Sequence, residues 1–319
     1  MYKRICVVGA GYWGKNHINV LIQLNSLKGI VDSDQEIIKI YKEKYPNVNC
    51  YNSIDDALKD NYDGYTIATP AETHFKIAKK LILSGKNILI EKPMALSIEH
   101  AEELVRLAKS YNVNVMVGHV LLFHPAIIKI KEMIESGSIG ELQYIYSNRL
   151  NMGKVRNHEN AFWSLAPHDI AIFHYLTGSN PKNIQAIGST FLQQGIPDST
   201  MTHFHYENDV RGHIFVSWLH PFKEHRLVVI GSNSMITFED SLKGKPLKLY
   251  SKKYDLINGV PEKIDGPVRW IPYEKKMPLT AEIEYFLNHL DGRKLETSDV
   301  EHGLEVIKIL VNASQQLIK

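Results

Sequence analysis

Gly9-Ala10-Gly11-Tyr12-Trp13-Gly14 is the stretch whose reading decides the fold. Just before it, Arg4-Ile5-Cys6-Val7-Val8 is a short apolar, β-branched run, the pattern of a strand buried on both faces. Just after it, Lys15 to Leu24 has a helical pattern, so the glycines sit on a strand-to-helix turn. There each has a physical task. Gly9 permits the tight turn, Gly11 lets a pyrophosphate approach the backbone, and Gly14 lets the helix pack close to its strand, while N–H groups at the helix start face the phosphate charge. A glycine turn of this type is common by itself. Here Gly29-Ile30-Val31-Asp32 reads as a second strand ending in an acid, with Asp32 18 residues after Gly14. That matches the roughly 20-residue offset of an acid that binds the ribose of a dinucleotide. A carboxylate there repels a 2′-phosphate, which favours NAD over NADP; Ser33 and Lys39 soften that repulsion, so the preference is one of degree. The expected cofactor contacts around this turn are Gly9, Gly11, Tyr12, Trp13, Gly14, Asp32 and Ser33.

Working outward, strand and helix patterns alternate through about residue 120. A helix ends before Pro46, and Ser53 with Asp56 resembles a capping box. Gly64 to Ala68 is a strand running into Thr69-Pro70, Ala71 to Leu83 is amphipathic, and Asn87 to Ile90 is a buried strand that delivers Glu91-Lys92-Pro93. Ser97 caps a helix through Lys109, and Val113 to Val117 ends the series before Gly118-His119. Repeated units of this kind predict a doubly wound parallel sheet over residues 1–120, whose ligands bind beyond the carboxyl ends of the strands. From about 121 to 319 the pattern changes to an α+β domain with a large, mainly antiparallel sheet. Leu142 to Leu150 is a strand, Pro125 to Ser136 and Phe162 to Leu176 are helical, and Gly231-Ser232-Asn233 marks a hairpin between Arg226–Ile230 and Ser234–Phe238. Residues 241–275 read as edge strands and loops. Helices over Leu279–Leu290 and Val300–Ile318 close the chain, the last one free to pack back on the first domain.

Composition narrows the function classes. The 37 basic and 35 acidic residues leave a net charge of +2 and are interspersed, which argues against nucleic acid as the main partner. Two cysteines, Cys6 inside the first strand and Cys50, form neither a metal-spaced pair nor a disulfide framework. The apolar run near Met1 is too short for a secretion signal, and no stretch approaches 18 apolar residues, so a cytoplasmic protein without membrane attachment is expected. No H-E-x-x-H, paired C-x-x-C, Walker-type or G-x-S-x-G pattern occurs, and no metal is expected.

Two residues stand out chemically. Lys92, at the mouth of the parallel sheet, can polarise a substrate oxygen or move a proton; the plain alternative is a surface lysine paired with an acid. His168 follows Pro167 at a helix start and can accept a proton near neutral pH; one histidine among 15 can equally be structural. His203 and His205 share a strand face without a third ligand nearby. His119 and His124 lie at the crevice edge. Arg149, Lys154, Arg156 and His158, with Asn151 and Trp163, cluster early in the second domain, either as partners for a diphosphate or as a solvated loop.

Taken together, Gly9-x-Gly11-x-x-Gly14, Thr69-Pro70-x-x-x-His74, Glu91-Lys92-Pro93 and the His168 helix resemble the Gfo/Idh/MocA family of sugar oxidoreductases over essentially the whole chain. The resemblance implies catalytic roles for Lys92 and His168, cofactor contacts at Thr69, Pro70, His74, Glu91, Lys92 and His119, and substrate contacts at Lys92, Arg149, Asn151, Arg156, Trp163, Ser164, His168 and Asp169. Many members carry an Asp four residues before the histidine; Ser164 stands there, which speaks against an inositol-type proton relay. The Ala166-Pro167-His168-Asp169 pattern, with Gly11 to Asn16, is similar to the branch that oxidises the 3-hydroxyl of UDP-N-acetylhexosamines or their uronates. In that reading His168 takes the hydroxyl proton and Lys92 holds the oxygen, or the reverse. Alternatives are an inositol or free-sugar dehydrogenase, an NADPH-dependent 3-ketosugar reductase, and a non-catalytic NAD-binding regulator. Relatives commonly pair through the exposed sheet face, so the resemblance also implies a homodimer or homotetramer.

Overall fold

The computed structural model describes residues 3–153, 155–157 and 159–317. The chain divides into two compact units: residues 3–123 with 276–307, and residues 124–275 with 308–317. The first unit thus extends past residue 120 and also takes back a C-terminal segment, so one cut of the chain does not separate the two.

The first unit begins β1 (Ile5–Val8), α1 (Gly14–Gln23), β2 (Leu27–Val31), α2 (Gln35–Lys44), β3 (Asn49–Tyr51), α3 (Ile54–Ala57), β4 (Gly64–Ile67), α4 (Ala71–Leu83), β5 (Asn87–Glu91), α5 (Ile98–Tyr111) and β6 (Val115–Gly118). Its strands run parallel in the order β3-β2-β1-β4-β5-β6. Every residue of β1, β4 and β6 is buried, which is why these strands read as continuous apolar runs without alternation. Successive crossovers leave β1 in opposite directions, toward β2 and toward β4, and this switch opens a crevice beyond their carboxyl ends. β3 escaped the sequence reading because three half-polar edge residues are too few to show a period. The caps are as the sequence suggests: Ser53 accepts from Asp56 N–H and Ser97 from His100 N–H, and Asp34 also caps α2 through the N–H groups of Glu36 and Ile37.

The second unit holds α6 (Pro125–Glu135), β7 (Leu142–Leu150), α7 (Ala161–Leu165), α8 (Pro167–Thr177), β8 (Pro181–Ser189), β9 (Ser199–Tyr206), β10 (Arg211–Ser217), β11 (Glu224–Gly231), β12 (Met235–Glu239), β13 (Leu247–Tyr250), β14 (Lys253–Ile257), β15 (Val260–Ile264) and β16 (Val268–Trp270). An eight-stranded sheet runs β16-β13-β12-β11-β7-β10-β9-β8, antiparallel except for the β7/β10 pair; β14 and β15 form a separate ribbon. The single helical pattern expected over Phe162–Leu176 is two helices. Pro167 lacks the N–H needed to continue α7 but suits the first position of α8. α8 is apolar nearly all round because it is buried, with Phe173 against Gly212 of β10 and 6.0 Å from the Phe204 ring of β9.

The chain closes with α9 (Pro278–Asn288) and α10 (Val300–Leu317). α9 and the start of α10 belong to the first unit, where they settle the exposed edge of β6. Val117 N–H donates to Ser298 O at 2.7 Å, Ser298 Oγ donates to Val117 O at 2.7 Å, and Met116 bridges Asp299. An unpaired edge strand invites unwanted pairing, and this return segment removes it.

Candidate functional site

In the first unit, the turn between β1 and α1 has the geometry its glycines suggest. Gly9 adopts φ +90°, and a Cβ there would press into the Thr69 and Ala68 backbone. A Cβ on Gly14 would overlap the Gly9 carbonyl, so the helix start can approach the strand only without a side chain. At Gly11 a Cβ would meet nothing within 4 Å. Packing therefore demands Gly9 and Gly14 and leaves Gly11 facing open space. No side chain caps α1 and no acid lies in its first turn, so its dipole favours an anion there, although Lys15 and Asn16 N–H already donate to Gly11 O and Trp13 O. An adjoining cavity of about 430 Å³ between α1 and α2 adds Lys15 and Lys44 beside Gly11 and Tyr12.

Asp32 ends β2 and accepts from Ala10 N–H at 2.8 Å and Asp34 N–H at 3.0 Å, which ties the glycine turn to the start of α2. Ser33 is exposed beside it, Tyr12 is 92% exposed and Trp13 38%. After β4, Thr69 accepts a hydrogen bond from the Thr73 hydroxyl and Pro70 starts α4. An open cradle, an uncapped helix and a carboxylate one strand away fit a dinucleotide pyrophosphate and its ribose.

His74 and His119, both expected at the cofactor, are buried in the first unit. His74 is buried, with Nδ1 2.8 Å from Pro93 O and Nε2 2.8 Å from Thr69 O, so its ring clamps two loops together. His119 is also buried, its ring 5.4 Å from that of His302. Glu91 is turned inward too. Its Oε1 accepts from Trp13 Nε1 and lies 2.9 Å from His17 Nε2, and its Oε2 accepts from Lys92 N–H at 3.2 Å. Lys92 itself is half-buried just past β5, and the Lys92–Pro93 peptide is cis.

In the second unit, Arg149 on β7 is nearly buried rather than open to a diphosphate. Its Nε donates to Asp169 Oδ2 at 2.6 Å and its Nη2 to Asp169 Oδ1 at 3.1 Å, while His225 Nδ1 lies 3.3 Å from Nη1. Burial opposes the guanidinium charge, but Asp169 outweighs it and raises the Arg149 pKa. Asp169 is likewise withdrawn, 3% exposed, so this pair anchors the first turn of α8, which carries half-buried His168. Each Asp169 oxygen accepts from the guanidinium, and the pair is almost wholly withdrawn from solvent. Further along, burial lowers the His225 pKa. Burial alone would raise Asp240, but hydrogen bonds with His225 and Lys245 hold it below the usual carboxylate range.

The other expected substrate contacts remain more open. Arg156 is exposed, with Glu159 at 3.7 Å, and Asn151, Trp163 and Ser164 are half-buried. Lys154 and His158 lie outside the described residues. The sequence reading missed His17, Glu282, His225 and Asp240. Each sits in an ordinary amphipathic pattern, and only the tertiary partners distinguish it.

Residues 3–119 match the oxidoreductase family with an NAD-binding Rossmann fold, and residues 127–237 match the C-terminal domain of the same Gfo/Idh/MocA group. The chain belongs to the Gfo/Idh/MocA family. UDP-N-acetylglucosamine 3-dehydrogenase of Acidithiobacillus ferrooxidans is 25% identical over 315 residues, covering 96% of this chain and 95% of that protein. Its solved structure superposes with a TM-score of 0.87 at 23% identity, covering 99% and 98% of the two chains. GenD2 from gentamicin A biosynthesis, solved in complex with NAD, gives 0.80 at 20% identity over 99% and 94%. This Gfo/Idh/MocA member is thus an oxidoreductase whose first unit is an NAD-binding Rossmann domain, and its curated relatives include sugar and polyol dehydrogenases. Among the described residues, no helix is long and apolar enough to cross a membrane.

Proposed function

We propose that this protein oxidises the 3-hydroxyl of a UDP-N-acetylhexosamine, or of its uronate, to the 3-keto sugar with NAD. One observation carries the substrate: the likeness to UDP-N-acetylglucosamine 3-dehydrogenase runs through 96% of this chain and 95% of that enzyme, across both units. Support for NAD over NADP comes from Asp32, whose carboxylate at the β2 end opposes a 2′-phosphate.

When bound, NAD supplies the hydride acceptor. Gly9, Gly11 and Gly14 shape the cradle for its pyrophosphate, and Asp32 with Ser33 receives its ribose. Lys92 holds the reacting oxygen with its positive charge, which favours the alkoxide-like transition state, and His168 takes the hydroxyl proton. The two roles are exchangeable, since either group can hold or move that proton. Arg149 and Asp169 act by fixing the helical turn under His168. Among the described residues of this cluster, Arg156 is the exposed cation for a diphosphate. Its exposed partner Glu159 offers only a weak competing pair, and Asn151, Trp163 and Ser164 complete the substrate side.

A panel assay of NADH formation tests the reading, using UDP-N-acetylglucosamine, its uronate, free N-acetylglucosamine and myo-inositol, with an aminotransferase coupled to remove 3-keto product. Turnover confined to UDP-sugars is expected. Turnover of a free polyol instead would reject the nucleotide-sugar assignment and keep the dehydrogenase.

The same reading includes self-association through the outer face of the eight-stranded sheet. Tyr144, Tyr146, Met201, His213 and Phe215 lie together there, beside Ile187, which is 70% exposed. Sedimentation velocity should give a dimer or tetramer; a monomer throughout the micromolar range would discard it.

A further inference from the structure

Behind the Lys92 turn, the first unit buries polar groups that the proposed chemistry does not use. Gly118, opposite Glu91 in the sheet, makes room for them: a Cβ there would stand 3.1 Å from the Glu91 Cδ and both oxygens. The Glu91 carboxylate fills this space and collects N–H donors from Trp13, His17 and the Lys92 backbone. His17 is fully buried on α1. With its Nε2–H directed at Glu91, its Nδ1 is left as an acceptor, and none of the described residues hydrogen-bonds to it. Glu282 lies on α9, which packs against α1. It too is fully buried, and neither of its carboxyl oxygens has a hydrogen-bond partner among the described residues.

An ionised carboxylate at Glu282 would be shut away from bulk solvent with no cation paired to it among the described residues, and it would face the Glu91 charge. Burial first, and Glu91 second, push the Glu282 pKa well above the usual carboxylate range. Glu91 acts on it from β5, and α1, which carries His17, packs on the same helix. The Val120–Phe123 turn that also packs on α9 is apolar throughout. A protonated carboxyl offers one O–H donor. Among the described residues, His17 thus offers an unanswered acceptor and a protonated Glu282 an unanswered donor.

We propose that Glu282 is a neutral carboxylic acid that donates to His17 Nδ1, directly or through one bound water, so that the chain Glu282–His17–Glu91 fixes the backbone of Lys92. Glu282 is thus a positioning residue for Lys92. This deepens the reading of Lys92 as the group that holds the substrate oxygen, and rests on it.

Glu282→Gln keeps a donor without a proton to lose, and Glu282→Leu removes the donor. Difference infrared spectra at pH 7 should show a protonated carboxyl stretch in the wild type that disappears in Glu282→Gln. Absence of that band overturns the proposal. Stability gives a second reading with a definite sign. Below the unfolded pKa near 4.3, both folded and unfolded chains hold the proton. As pH rises above it, only the folded chain does, so wild-type stability falls relative to Glu282→Gln. The Tm advantage of the glutamine variant should therefore grow from pH 4.5 to 8; a constant difference overturns the proposal.

Positioning is read from the indole N–H resonance of Trp13, which donates to Glu91. It should hold in Glu282→Gln and move in Glu282→Leu. An unmoved resonance in the leucine variant rejects the positioning role, whatever its Tm. In the sugar assay, kcat of Glu282→Leu should fall about tenfold with NAD affinity little changed, and Glu282→Gln should stay near wild type. Were no sugar oxidised even by the wild type, the proposed function would fail by itself. The infrared, Tm and Trp13 readings would still decide the Glu282 chain.

Discussion

Gly11 and Gly14 share one turn, yet a side chain at each has opposite consequences. At Gly14 a methyl group would overlap the Gly9 carbonyl, so Gly14→Ala is expected to cost about 1–3 kcal/mol of stability. At Gly11 the space is open, so Gly11→Val should melt close to the wild type yet bind NAD at least about tenfold more weakly, a loss of roughly 1.4 kcal/mol. A thermal melt beside an NAD titration checks both; normal affinity in Gly11→Val would remove the pyrophosphate from this turn. Lys92 separates binding from chemistry in the other sense. Lys92→Ala should lose sugar oxidation while NAD affinity stays within about threefold, because the Lys92 ammonium is asked to act on the substrate oxygen. Glu91 and His74 show the limit of reading single residues. The family resemblance marked them for the cofactor, and the structure shows their side chains hydrogen-bonded to Trp13, His17 and loop carbonyls.

At the scale of elements, helix caps were legible where Ser precedes an acidic or polar turn, as at Ser53 and Ser97. The cap of α6 was not, because it is a histidine. His124 Nδ1 accepts from Ala126 N–H at 3.1 Å, and the ring packs 4.9 Å from Phe238 and 5.7 Å from Tyr273. Burial lowers its pKa to about 4, with Asp240 pulling upward and Lys245 downward. The sign follows from proton linkage. Above pH 6.5 the ring is neutral in both states; between 6.5 and 4 the unfolded chain takes a proton that the folded one refuses, so stability falls as pH falls. Near pH 4.5 the loss is on the order of 2 kcal/mol after screening. His124→Asn keeps a capping acceptor without titrating. Denaturant unfolding at pH 7 and 4.5 should show a smaller gap between the two conditions in this variant, even if packing loss lowers both. An unchanged gap would show that His124 does not drive the acid limb.

For the whole molecule, local pattern decided a great deal. Alternating strand and helix periods to residue 120, the hairpin at Gly231-Ser232-Asn233 and the change to antiparallel strands all follow from side-chain periodicity and turn chemistry, which act over a few residues. The glycine spacing marked the turn proposed for the cofactor for the same reason: its geometry is made by adjacent residues.

What only the tertiary structure decided involves partners far apart in sequence. The return of residues 276–307 to the first unit answers an exposed edge at β6, and no local pattern encodes which edge needs covering. Arg149 and Asp169 each read as a polar residue open to a ligand. Burial from both sides turns them into one neutralised pair under α8, because a charge withdrawn from water must find its opposite. Nothing in the helical pattern over Leu279–Leu290 singles out Glu282. Its lack of solvent and its closeness to Glu91 are properties of packed helices and strands, and they, more than its own sequence neighbours, set its protonation.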